Sequence, residues 1–127
     1  MKAWIPLTLV LALGTAAVAR ADCTYPRPPD APPDGNTATK DQMIAAKHDF
    51  DRYNGEMNSY LDCLKLEMDA AAPKDAAKLT PDEKKKLDEQ QKILVQKNNS
   101  AVDELQAVVA RFNEQLKIFK AKVAAAK

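Results

Sequence analysis

TPDEKKKLDEQQKILVQKNNSAVDELQAVVARFNEQLKIFKAKV, Thr80 to Val123, holds no glycine and no proline after Pro81. From Val95 an apolar residue returns every seven positions, at Val102, Val109, Leu116 and Val123. A second row follows at Leu105, Phe112 and Phe119, with the polar Asn98 one step earlier. Two rows at this stagger make one narrow stripe on a helix, the a/d seam of a coiled coil. A lone helix leaves such a stripe in water. The pattern therefore predicts a long helix, about residues 81–125, and a partner for it.

The segment just upstream supplies the partner. Thr39-Lys40-Asp41-Gln42 fits a capping box, in which Thr39 and Gln42 satisfy the orphan N–H groups at a helix start. Met43, Ala46, Phe50, Tyr53, Met57, Tyr60, Leu64 and Met68 follow at spacings of three and four, a second seam. Pro73 ends this helix near Ala72. Thr80 and Glu83 form the next box, with Pro81 at the first helical position, where its missing N–H is no loss. The short link between the helices makes them antiparallel neighbours. The expected fold is all-α: a two-helix, coiled-coil-like hairpin over residues 39–127, with helices at about 40–72 and 81–125.

Residues 22–38 form an arm. Five of the chain's eight prolines lie in it, at positions 26, 28, 29, 32 and 33. Such a stretch favours polyproline II and cannot be helix. Residues 1–21 read as a secretory signal peptide: Lys2, an apolar core, then Ala19-Arg20-Ala21 as the cleavage site. The core is too short to cross a bilayer, which takes about 20 apolar residues. Export to the periplasm or beyond places Cys23 and Cys63, the only cysteines, where disulfides form. Free thiols and an interchain bridge are the alternatives. Reach favours an intramolecular bond, because an extended arm of about 50 Å can fold back along about 35 Å of helix. Closing a loop of about 40 residues contributes about 3–4 kcal/mol in the chain-entropy model.

Composition removes several functions. Without Lys2 and Arg20, the 19 basic residues fall to 17 against 18 acidic ones. A chain near neutrality draws no nucleic acid. His48, the only histidine, falls outside the seam with no positioned partner, as general-base work would need. Met43, Met57 and Met68 lie in the apolar row as core fillers, not as a soft-metal site. Cys63 has no C-x-x-C motif or nearby histidine to make it a nucleophile. No enzyme, metal or cofactor is expected.

Two resemblances add to this. Cys23-x-x-Pro26, Pro33-Asp34-Gly35, Ala38-Thr39, Met43, Tyr53, Tyr60 and Cys63 resemble a group of small secreted proteobacterial proteins with a Cys/Pro-rich arm. That resemblance implies a fold and no activity. Leu79-Thr80-Pro81-Asp82-Glu83 is similar to the LTxxQ motif of Spy-type periplasmic chaperones, with Glu83 where the motif has Gln. It implies a helical dimer that cradles unfolded clients.

Length sets one more expectation. The second helix is the longer, and folding about the link puts Thr39 level with roughly Phe112. Leu116, Phe119 and Val123 then project past the first helix as a dimer contact, a partner or client site, or a frayed end. The functional expectation is a non-enzymatic, exported structural or interaction protein of the bacterial envelope. It binds itself or another envelope protein through the second helix's seam. A client-binding chaperone is the alternative. A membrane-surface protein using Lys117, Lys120, Lys122 and Lys127 is the third reading.

Overall fold

Both helices begin where their capping residues place them. A computed structural model describes residues 23–126; the expected signal peptide lies outside them. Helix α1 spans Lys40–Ala71 and helix α2 Pro81–Ala125. Thr39 Oγ1 accepts from the Gln42 N–H, and the Thr39 N–H donates to Gln42 Oε1 at 2.8 Å. Thr80 and Glu83 repeat the arrangement, again with the N-cap N–H donating at 2.8 Å. Ala72 is extended before Pro73, which ends α1 one residue before the expected point. A single 3₁₀ turn, Ala76–Lys78, interrupts the link.

The helices pack as an antiparallel hairpin. Tyr53, Met57 and Leu64 of α1 are fully buried against Leu94, Ala101 and Val108 of α2. Phe50 stacks on Phe112, with ring centroids 4.9 Å apart and planes 6° from parallel. Tyr60 also lies in the core; Phe50, Leu61, Met68 and Leu105 pack at its edge.

Two sequence expectations are corrected here. The buried α2 row is Leu94, Ala101 and Val108, one residue before the expected row. Val95 and Val123 are 48% and 41% exposed, and Val102, Val109 and Leu116 are half-buried. The Asn98–Leu105–Phe112–Phe119 row can pair with either neighbouring row at three- and four-residue spacing. Its partner on the α1 side is the Leu94 row, leaving the Val95 row on the flank.

The overhang is also smaller than expected. Phe50 lies level with Phe112, so Met43 lies near Phe119 rather than short of it. The link runs on past the end of α1 before α2 begins. About 15 Å of α2, its first ten residues, therefore extends beyond α1 at the link end. Of those residues only Leu87, just before Asp88, is even half-buried.

The arm makes up the third layer. Cys23 is bonded to Cys63, with Cα atoms 5.7 Å apart. From there the arm runs back along the hairpin, burying Pro26 and setting Tyr25 edge-on to Tyr60 at 5.1 Å. It ends in a turn: Asp34 Oδ1 accepts from the Asn36 N–H, and Asp34 O accepts from the Ala38 N–H. Gly35 and Ala38 of this turn are buried against α2.

Candidate interaction surface

A two-helix hairpin has two grooves, one on each side of the seam. The arm fills one. Its prolines share a cavity of about 250 Å³ with Phe50, Val108, Arg111 and Phe112. The Gly35 N–H donates to Gln115 Oε1 at 2.8 Å, and Lys122 Nζ donates to the Ala38 carbonyl at 2.7 Å. Val108, Arg111, Gln115 and Lys122 recur at three, four and seven residues, so one side of α2 receives the arm from Pro29 to Ala38, while its start lies on α1.

Among the described residues the other groove has no such cover. At about 100° per residue, its α2 wall carries Val95, Asn98, Val102, Val109 and Leu116. Its α1 wall carries Asn54, Leu61 and Met68, with the buried Met43 and the half-buried Phe50, which also lines the arm-side cavity, at its base. α2 therefore has three adjacent apolar rows, wider than one helix can cover. The charges of α2 respect this division. Between Ile93 and Leu116 they are Lys97, Asp103, Glu104, Arg111 and Glu114, and the helical angle turns every one away from the open groove. That strip carries only valine, leucine, asparagine and glutamine. On α1, the ridge pointing out of the same face carries Lys47, Asp51, Asn54, Asn58, Asp62, Lys65 and Asp69. Lys47 and Asp51 pair at 2.6 Å, both exposed.

The arm side gathers all three tyrosines. Burial pushes the Tyr53 hydroxyl up to about 12, helped by Tyr25 and the Glu104 carboxylate. The hydroxyl is buried with no hydrogen-bond partner among the described residues. Tyr25 and Tyr60 are raised as well, chiefly by burial. Glu83 is lowered, because its carboxylate accepts from the Thr80 N–H and hydroxyl.

Cys23, Cys63 and Glu67 bring their ligand atoms within 4.8 Å of one another, but both sulfurs are in the disulfide and offer no thiolate. His48 is exposed, while Met43 and Met57 are buried in the helix packing.

The three residues expected to bind a partner are separated by the fold. Phe119 lies beneath the Gly35 turn, with the Lys122 ammonium 5.3 Å from its ring centre. Leu116 is half-buried beside the open groove, and Val123 is exposed at the helix end. Sequence reading missed Gln115 and Lys122 as arm holders. Their signal was present: they continue the Leu87, Leu94, Ala101, Val108 heptad in polar form. No family model, curated protein or solved structure matches the chain.

Proposed function

We propose that this is an exported, non-enzymatic interaction protein of the cell envelope, which presents the uncovered α1/α2 groove to a protein partner. The supporting observation is the asymmetry of cover. One groove is sealed by a strap bonded at Cys63 and hydrogen-bonded at Gln115 and Lys122. The other has an uncharged strip about 30 Å long, its valines half-buried or exposed, that no described segment covers. Depletion of charge around apolar side chains is the compositional mark of an interface core. The signal-like leader and the disulfide support export. Among the described residues no helix is long and apolar enough to cross a membrane.

The reading is tested by a photoreactive residue at Val109, compared with one at Glu114 on the far side, in cells that express the chain. A discrete protein adduct from Val109 and none from Glu114 is expected. Equal labelling at both, or none at either, rejects the reading. A smear of many masses from Val109 points to the client-binding alternative.

A further inference from the structure

We infer that the occupant of the open groove is a second copy of the chain, docked antiparallel about a two-fold axis beside Asn58. This rests on reading that groove as an interface. Two antiparallel helices pair positions whose numbers share a constant sum, and the α1 ridge is complementary to itself at one such sum. Lys47 opposes Asp69 and Asp51 opposes Lys65, both pairs summing to 116. At the same sum Asn54 opposes Asp62, and Asn58 meets its own copy on the axis. No like charges face each other along this ridge. The existing Lys47–Asp51 pair would extend into a four-membered network of alternating sign.

The same axis can be carried across to α2 through the Phe50–Phe112 register. It crosses α2 near Glu104, at the middle of the uncharged strip. Val102 then meets Gln106, and Val109 meets Asn99, so the strip lies against its own reversed copy with no charge desolvated. The other two-fold arrangement, with α1 over the partner's α2, fails by the same reasoning. It presses Lys47 toward Lys117 and Lys65 onto the valine row. Size also fits. The groove from Met43 to Met68 is about 37 Å long and the hairpin about 20 Å wide. That footprint of about 750 Å² per copy matches the roughly 800 Å² per partner of a standard stable interface. Valines supply the apolar burial, while the charged ridge fixes orientation and register.

Sedimentation equilibrium of the processed, oxidised chain tests this. A dimer at tens of micromolar is expected. Val102→Asp with Val109→Asp should raise its dissociation constant at least 100-fold. Lys47→Glu with Lys65→Glu should raise it at least tenfold. Adding Asp51→Lys and Asp69→Lys to that pair should restore it to within about threefold. The four charged sites are exposed, so these variants remain informative if the valine variants fail to fold; circular dichroism verifies helicity in each. A wild-type monomer at 200 µM overturns the inference, as does a dimer unmoved by charge reversal or not rescued by the fourfold swap. A monomer that still gives a discrete Val109 photo-adduct with another protein overturns the second copy and leaves the interface reading standing. A monomer with no adduct removes both.

Discussion

Gly35 and Gly55 are the same residue under opposite constraints. A Cβ on Gly35 would meet the backbone of α2, lying 2.8 Å from the Phe119 nitrogen and 2.9 Å from the Ile118 Cβ. Neither can move without shifting the helix. A Cβ on Gly55 would meet nothing within 4 Å. Gly35→Ala should therefore cost about 3 kcal/mol, at the upper end for overpacking. Gly55→Ala should stabilise by about 1 kcal/mol, the helix-propensity difference at an exposed site. Urea melts of the two variants would show shifts of opposite sign, and equal signs would contradict the close approach at Gly35. Tyr53 poses a different problem. Its hydroxyl is buried without a partner, and such a group costs about 1–3 kcal/mol. Tyr53→Phe should thus raise stability at neutral pH by about 1 kcal/mol. The pH dependence follows from the same burial. The native Tyr53 holds its proton to about pH 12, whereas an unfolded tyrosine releases it near 10. Stability is full below pH 10 and is lost as pH rises toward 12, because the unfolded chain ionises first. Tyr53→Phe should flatten that alkaline loss, measured by denaturant midpoints on either side of pH 10.

Among the elements, the arm depends most on covalent help. It has no internal secondary structure and few apolar side chains, so its position rests on the disulfide, Tyr25, Pro26 and the buried turn. The bonded cysteines are 40 residues apart in sequence. Reduction should lower stability by about 3–4 kcal/mol through the freed unfolded chain. The buried turn should hold in the reduced protein, because Gly35 and Ala38 keep their bonds to Gln115 and Lys122. Urea melts with and without reductant, followed by tyrosine fluorescence, measure the first effect. Amide exchange at Gly35 measures the second: fast exchange in the reduced form would show that the disulfide alone seats the arm. How readable each element was follows from the range of its determinants. Thr39, Gln42, Thr80 and Glu83 act within three residues, so both helix starts were legible. The disulfide followed from there being one pair of cysteines and enough reach. The choice between the Leu94 and Val95 rows was not legible, because both satisfy the heptad rule and only the opposing helix and the arm separate them. The register was misjudged for a related reason. A link containing Pro73 can turn at once or run on, and no local signal distinguishes the two.

At the scale of the whole molecule, stability is concentrated far from the bend. The fully buried residues fall at Tyr53–Leu64 of α1 and Ala101 of α2, and the arm reinforces the region beyond them, up to Lys122. Toward the link, Leu66 is 70% exposed, and among the described residues no helix lies beside the first ten residues of α2. The covalent joint between the helices is therefore their weakest non-covalent contact. Local opening should follow this gradient, since regions with few buried contacts open at low free energy. Amides from Lys74 to Gln90 should exchange fastest, and those near Met57 and Leu105 slowest. Trypsin should cut first at Lys74, Lys78 or Lys84–Lys86. The disulfide lies on one side of that cut and ties the arm to α1, while the arm's bonds to Gln115 and Lys122 and the packed seam cross it. The fragments of the nicked, oxidised chain should accordingly co-elute on gel filtration and retain most of their helicity. Their separation in native buffer would mean that the link, not the packed middle and the strapped end, holds the hairpin closed.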